Sequence, residues 1–384
     1  MKKLIRITTI PISLEKLLDN QLLFMKNYYE VMAISSDREY LERVGKSQNI
    51  PVHAIEMTRK ITPWQDLKAL WQMFRYFKKE QPLIVHTHTP KAGTIGMIAS
   101  KMAGVPYRLH TVAGLPLLET NGTKRKLLNL VEKVTYSCAS KIYSNSKGLK
   151  NIIVQEGFCK SEKIKIIANG STNGIDTQFF NPEKVPSETL IQLKKNLGIT
   201  NDDFVFVYAG RLTGDKGINE LLLAFQKMAS EFSNVKLLLI GFLEPELDPL
   251  HKETLLEIEN NRQVLFVPFQ KDVRPYYALS DVLVLPSYRE GFPNVVLEAG
   301  AMGLPTITTN INGCNEIIEH QKNGILIQPK NTNALFEAMK KIMLDHALRT
   351  HFQENARQMI VSRFEQIVVW KALLAEYKKM EGHV

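Results

Sequence analysis

The sequence predicts an α/β protein built from two doubly wound, Rossmann-like domains. Three observations carry this. The chain has 384 residues, more than one hydrophobic core usually holds. Short runs rich in Val, Ile and Leu alternate with segments of helical apolar spacing, the pattern of βαβ units on a parallel sheet. The alternation stops over the polar stretch 181–203, NPEKVPSETLIQLKKNLGITNDD, and then restarts. That stretch reads as a linker with one short helix. It sets the expected domains at 1–184 and 185–362, with a final helical segment over 363–384.

In the first half the expected strands are Leu4–Ile10, Glu30–Ser35, Pro82–His88, Pro106–Thr111 and Lys141–Asn145. The expected helices are Glu15–Tyr29, Asp66–Phe77, Gly93–Ala103 (ended by Gly104), Leu127–Ala139 and Ser146–Glu156. In the second half the strands are Phe204–Ala209, Val235–Ile240, Val264–Val267, Asp281–Pro286 and Thr306–Thr309. The helices there are Ile218–Phe232, Glu253–Asn260, Val273–Ala278, Asn294–Met302, Thr332–Leu344 and Arg363–Met380. The opening MKKLIRITTIPIS has the basic start of a signal peptide. Its apolar run is broken by Arg6 and two threonines and lacks a small-residue cleavage site, so it reads as a strand. No apolar run reaches the length of a bilayer span. Cys138, Cys159 and Cys314 are scattered, with neither metal-ligand spacing nor a disulfide framework, which fits a reducing cytoplasm.

Net charge is +10, unevenly placed. Residues 1–185 hold 28 Lys/Arg against 15 Asp/Glu, a net +13; the remainder holds 21 against 24, a net −3. Within 81–155 there are 10 basic and 2 acidic side chains. The basic half should meet an anion: a phosphate-bearing substrate, acidic lipid headgroups or nucleic acid. The alternative is a merely solvated surface. No aromatic–basic interleaving or nucleic-acid motif appears, so nucleic acid is not expected.

Ligands of doubly wound sheets sit at the carboxyl ends of strands, and three motifs lie there. In YAGRLTGDKG, 208–217, Gly210 is expected to turn the backbone, and Arg211 and Lys216 to project beside a helix N-terminus. Two cations there suit a diphosphate. The spacing matches neither the dinucleotide nor the P-loop fingerprint. In YREGFPNVVLEAGAMGLP, 288–305, Glu290 lies in a strand-exit loop and Glu298 in the following helix. Pro293 suits the first helical position and Gly303 the residue past its end. An anion at that N-terminus would have one carboxylate on each side, each able to accept from paired hydroxyls. The apolar neighbours of Glu298 argue against a plain surface charge. Third, His86, His88 and His110 end strands of the first half. For His86 a structural role is expected; for His88 and His110 both a structural and a ligand-facing role stay open. The tract beginning Asn121-Gly-Thr-Lys-Arg-Lys joins basic residues to apolar spacing. It reads either as an ordinary amphipathic helix or as one resting on an anionic membrane.

Together these residues resemble the retaining, nucleotide-sugar-dependent glycosyltransferases of family 4. The resemblance spans nearly the whole chain. It is carried by the E-x7-E element Glu290–Glu298, the YAGRLTGDKG loop, NGIDTQFF at 173–180 and HTHTPKAG at 86–93. HTHTPKAG and HTVAGLP are similar to segments of bacterial capsule and O-antigen transferases. The resemblance implies the GT-B fold, with two Rossmann-like domains facing each other across a cleft and a C-terminal helix crossing back to the first. It implies an acceptor-binding first domain and a donor-binding second one. Arg211 and Lys216, beside Gly210, would neutralise the donor diphosphate. Glu290 would contact the donor sugar hydroxyls and Glu298 the ribose. Gly291, Phe292, Asn294 and Val295 would border the donor, and His110 would face the reacting centre. His88, Lys91, Lys124, Arg125 and Lys126 are candidates on the acceptor side.

The implied activity is hexosyl or N-acetylhexosaminyl transfer (EC 2.4) from a nucleotide-diphosphate sugar, UDP-sugar favoured, with no metal or other cofactor. The implied acceptor is a glycan, polyprenyl-diphosphate-linked, in surface polysaccharide assembly. The expected location is the cytoplasm, peripheral at the inner face of the membrane. Two other readings are a nucleotide-sugar epimerase or hydrolase of the same fold, and a non-catalytic nucleotide-sugar or anion-binding protein. The sequence departs from the family at Thr8–Leu14, where a Gly-Gly pair is frequent, and at Pro268, where a glycine is frequent.

Overall fold

A computed structural model describes all residues except 59, 116, 118, 119, 247, 383 and 384. Pro116 of the HTVAGLP segment thus lies outside the described residues. The chain divides into two compact units, 1–174 with 366–384, and 175–365. The division falls ten residues before the domain boundary expected after residue 184. The cause is local pairing. The Ile175 amide donates to the Phe364 carbonyl at 2.8 Å, and Thr177 bonds Glu365, so NGIDTQFF from Ile175 onward is tied to the second unit.

The first unit holds β1 (Lys3–Ile7), β2 (Glu30–Ser35), β3 (Val52–Ala54), β4 (Ile84–Thr87), β5 (Tyr107–Val112), β6 (Lys141–Ser144) and β7 (Ile164–Ile166). They form a parallel sheet in the order β3-β2-β1-β4-β5-β6-β7. The helices Pro63–Glu80, Pro90–Ala103 and Gly122–Cys138 cover one face over Ile5, Ile7, Val85 and Ile142. The other face carries Leu4, Ile84, Leu109 and Tyr143 and is covered by Pro11–Leu17, Gln21–Lys26 and the final helix Gln366–Glu381.

The second unit holds β8 (Phe204–Leu212), β9 (Val235–Leu243), β10 (Val264–Pro268), β11 (Val282–Leu285), β12 (Thr306–Thr309) and β13 (Gly324–Ile327). Their parallel order is β10-β9-β8-β11-β12-β13. Both sheets reverse their strand order once, between β1 and β4 and between β8 and β11. Such switch points open crevices at the strand carboxyl ends. The β8 run FVFVYA is buried without interruption, as a strand covered by helices on both faces must be.

Several expected elements differ. Glu15–Tyr29 is two helices, because Asn20 sits at φ 56° and breaks the first from the second. Arg363–Met380 is also two pieces: His346–Phe364 ends, Glu365 turns extended, and Gln366–Glu381 follows. The short β3, β7 and β13 and the helices Arg38–Ser47 and His346–Phe364 were not expected. The three-residue β3 and β7 give too little alternation to read, and Arg38–Ser47 is polar apart from Tyr40, Leu41 and Val44. Among the described residues no helix is long and apolar enough to cross a membrane.

Candidate active site

In the second unit the two motifs meet. Lys216 Nζ lies 2.6 Å from Glu290 Oε1, with both side chains largely buried. Arg211 Nη1 lies 2.7 Å from Glu244 Oε2 and its side chain remains 39% exposed. The YAGRLTGDKG stretch is not a loop throughout, however. β8 continues to Leu212, and Gly210 stays in the ladder opposite Gly241 of β9. Its φ of 149° and the Tyr208 hydroxyl, 2.9 Å from where a Cβ would sit, explain the glycine better than a turn does. The turn comes at Thr213–Gly217. Gly217 has φ 72°, and any side chain there would strike the Pro286 carbonyl at the exit of β11. The Tyr288 amide donates to the Asp215 carbonyl at 2.9 Å, and Arg289 Nη2 pairs with Asp215 at 2.8 Å. So the loops after β8 and β11 are stitched together across the switch point.

The loop after β12 completes the support. Asn312 Nδ2 donates to the carbonyls of Glu290 at 3.0 Å and Gly291 at 3.1 Å. Asp248 accepts from the Asp215 amide at 2.5 Å. Helix Asn294–Ala301 then begins, with Pro293 as its cap residue and not its first helical one; its ψ of 110° is extended. Gly303 ends the helix at φ 83°, as expected. Phe292 turns its ring onto Phe364, centroids 5.5 Å apart, so that residue offers backbone to the crevice. Asn294 is exposed and Val295 half-buried at the helix start, where first-turn amides have no intrahelical acceptor.

Glu298 is half-buried, and the buried Tyr277 hydroxyl donates to its Oε2 at 3.1 Å. Burial and the Glu298 charge push the Tyr277 hydroxyl well above its usual range, so it stays a donor. Glu298 is therefore oriented by a partner, unlike a free surface charge. Glu244, Asp248, Tyr277 and Asn312 escaped the sequence reading. Glu244 stands one residue past the end of β9, a position that strand length alone would have marked. The other three act on neighbours distant in sequence and left no local signal.

In the first unit the three histidines are buried. His86 bonds Tyr377 through Nδ1 at 2.5 Å and Thr111 through Nε2 at 2.7 Å, a structural histidine as expected. His88 Nε2 accepts from Arg6 Nε at 3.0 Å. Burial, then the His86 and Arg6 charges, hold it well below the usual imidazole range. Its Nε2 thus serves Arg6, the structural one of the two roles left open, while its Nδ1 has no partner among the described residues. Arg6 is itself fully buried and also donates to Gln21 Oε1 at 2.5 Å. His110 bonds Thr87 through Nδ1 at 2.8 Å. Its ring packs so closely on Gly93 that a Cβ there would overlap it. Burial lowers its pKa to about 4, so the ring is neutral. Lys91 pairs with Asp66 at 2.5 Å. Arg125 pairs with Glu156 at 2.9 Å and donates to the Leu117 carbonyl at 3.0 Å. Lys124 and Lys126 are exposed.

Among the described residues no group of three His, Cys, Asp or Glu is placed to hold a metal ion. Residues 191–359 match the family of glycosyl transferases group 1, and residues 28–170 match the glycosyl transferase 4-like domain. A capsular polysaccharide biosynthesis glycosyltransferase, CapM of Staphylococcus aureus, is 34% identical over 99% of both chains. The chain belongs to the group 1 glycosyl transferases. Another relative of this glycosyltransferase is the UDP-Gal:alpha-D-GlcNAc-diphosphoundecaprenol alpha-1,3-galactosyltransferase of Escherichia coli. It is 30% identical over 85% of this chain and 82% of its own. Among solved structures, a glycosyltransferase from Rickettsia africae superposes with TM-score 0.82 at 19% identity, over 99% of this chain and 98% of that one. That likeness gives the enzyme the two-Rossmann fold of the GT-B glycosyltransferases.

Proposed function

We propose that this glycosyltransferase moves a hexosyl or N-acetylhexosaminyl group from a UDP-sugar to a glycan on a polyprenyl diphosphate, with retention at the anomeric carbon. The observation that carries the donor assignment is the 2.6 Å contact of Lys216 with Glu290. It makes one site of the two motifs. Both relatives' names support the rest: one is a capsule enzyme, and the other takes UDP-Gal and a diphosphoundecaprenol acceptor.

In this reading a nucleoside diphosphate leaves as positive charge develops on the sugar, and the site must favour that separated state. Arg211 and Lys216 hold the diphosphate oxygens, exchanging their present carboxylate partners for the ligand's. The amides at Asn294 and Val295 and the positive helix end add to them. These groups supply the charge without a metal or other cofactor. Glu290, released by Lys216 and with its carbonyl fixed by Asn312, accepts from sugar hydroxyls. Glu298, aimed by Tyr277, accepts from the ribose. The first unit takes the acceptor. His110, neutral at physiological pH, is suited to a hydrogen bond and not to a charge. The enzyme works peripherally at the cytoplasmic membrane face.

The test is calorimetric titration of UDP, GDP and ADP. UDP should bind most tightly. Arg211→Ala with Lys216→Ala should weaken UDP by about a hundredfold or more, since each charged hydrogen bond is worth about 1.5–3 kcal/mol. Unchanged affinity would sink the donor site. Sugar release from donor without acceptor, at the rate seen with it, would point to a hydrolase instead.

A further inference from the structure

The helices Pro63–Glu80 and Gly122–Cys138 flank Pro90–Ala103 on one face of the first sheet. Each follows a strand, β3 or β5, in a parallel crossover, so each starts at the strands' carboxyl edge. Lys91 on the middle helix ties to Asp66 in the first turn of Pro63–Glu80, and Thr135 ties Gly122–Cys138 to Thr94 at 3.0 Å. Both outer helices bury a normal apolar face: Ala69, Met73 and Phe77 on one, Thr135, Tyr136 and Cys138 on the other. Each also carries a second apolar stripe that the unit leaves uncovered. On the first, Trp64 is 85% exposed and Trp71 56%, with Leu67 between them. On the second, Leu127, Leu130 and Val134 are exposed at helical spacing. Single exposed apolar residues need no explanation, but two stripes on helices sharing a neighbour, one with two tryptophans, do.

The charges around the stripes say what would cover them. Lys68 and Arg75 lie on the Trp64–Trp71 face, and Lys124, Lys126 and Lys133 beside the Leu130 stripe, all exposed. The acids of these helices are taken up inside the unit: Asp66 by Lys91 and Glu80 by Lys3. Glu132 is half-buried, with its carboxyl raised by burial. An apolar stripe with indoles and a rim of lysines that no acid among the described residues pairs fits the interface of an anionic bilayer, where indoles sit at headgroup level and amines pair with phosphates.

We propose that these two helix faces are the surface by which the enzyme docks on an anionic lipid bilayer, with Trp64 and Trp71 entering the headgroup layer. The proposal deepens, and rests on, the reading of a lipid-linked acceptor. It widens the basic tract at 121–131 to a two-helix surface whose main anchor is the other helix.

Tryptophan fluorescence tests it. Trp370, the third tryptophan, is half-buried and bonded to Asn173 at 2.7 Å. A Trp370→Phe variant therefore reports Trp64 and Trp71 alone. Phosphatidylglycerol vesicles should shift its emission to the blue, and lipids brominated near the headgroup should quench it. Pure phosphatidylcholine vesicles should bind about tenfold or more weakly. Raising salt from about 0.1 M to about 1 M, which shortens the Debye length from about 10 to about 3 Å, should weaken binding to phosphatidylglycerol. Trp64→Ala with Trp71→Ala should cut vesicle partitioning about tenfold or more, while UDP affinity and transfer to a water-soluble acceptor stay unchanged. No emission change with either vesicle overturns the proposal. So does a dimer in light scattering that the tryptophan double variant makes monomeric, since a second copy would then be the cover. Loss of UDP binding in the parent protein would overturn the donor reading while leaving vesicle docking intact, so the two failures are distinguishable.

Discussion

The two units hold cations at the carboxyl ends of their sheets in opposite ways. In the second unit Lys216 rests on Glu290 and Arg211 on Glu244, with Arg211 open to solvent on one side. In the first unit Arg6 is wholly buried, rests on the neutral His88 and Gln21, and has its Nη1 unpartnered. The part-exposed Arg211–Glu244 pair costs little to break, so a dianion can displace its carboxylate; the largely buried Lys216–Glu290 pair parts only where the incoming charge replaces the carboxylate on Lys216. A buried cation on neutral acceptors is fixed, because any rearrangement would leave it unsolvated. The difference separates a charge set proposed to exchange with a ligand from one built into the packing of the final helix against the sheet.

The largest expected effect breaks the exchangeable set. Glu290→Ala removes the acid proposed to meet the sugar, and transfer should fall about 10²–10³-fold, as for loss of other preorganised charged contacts. UDP affinity should hold or rise, because Lys216 loses its competitor. Steady-state rates beside UDP titration check this, and a parallel fall in UDP affinity would show that Glu290 organises the cations instead.

Acidification probes the fixed set. His110 has a folded pKa of about 4 against an ordinary 6.5. Above about pH 6.5 neither state binds the proton. As pH falls toward 4 the unfolded chain takes it up and the folded one does not, so stability is lost across that window. The slope is about 1.4 kcal/mol per pH unit for each such histidine, or about 3 kcal/mol for His110 in all. His86 and His88 are shifted in the same direction by burial. The second unit's His251, His320, His346 and His351 are exposed. Scanning calorimetry from about pH 7.5 to about pH 5 should therefore lower the first unit's transition more than the second's. Equal shifts would refute the contrast.

The same comparison shows what the sequence made legible. Glu290, Lys216 and Arg211 could be read because each lies in a run of turn-forming and charged residues at a strand end. Their pairing across 74 residues, and the Glu244 partner, needed the β8–β11 and β8–β9 adjacencies, which a sequence does not state. The strand–helix alternation survived because central strands such as β8 are long and apolar; the three-residue β3 and β7 were too short to register. In the first unit the spacing of basic residues was visible, but not which were taken. Arg125 reads like Lys124 and Lys126 until Glu156 is seen beside it. Trp71 lies in the expected helix Asp66–Phe77 and Trp64 just before it, and their exposure was not legible, since helical spacing alone does not say which of two apolar faces has a neighbour.

A smaller effect concerns the packing that holds His110. Gly93→Ala places a methyl group against the imidazole, with no room on the sheet side. The ring or the helix Pro90–Ala103 must move, at a cost of about 1–3 kcal/mol. The first unit's melting transition should fall, transfer should drop with the displaced ring, and UDP affinity should not change. Preserved melting with lost transfer would mean that the ring rotates freely and acts on the acceptor alone.

The smallest effect tests whether Glu298 is aimed or merely present. Tyr277→Phe deletes one hydroxyl and leaves the ring in its buried place. The carboxylate then keeps its charge but loses its 3.1 Å donor. A hydrogen bond to a charged group contributes about 1.5–3 kcal/mol, and water at the half-buried carboxylate should restore part of it, leaving about 1 kcal/mol. The donor KM should therefore rise about fivefold with kcat nearly constant, because the ribose is held equally before and during transfer. In a Glu298→Ala background the same substitution should do nothing further, since the residue it positions is gone. An additive double-variant effect would place the Tyr277 hydroxyl in the folding of the second unit and not in the orientation of Glu298.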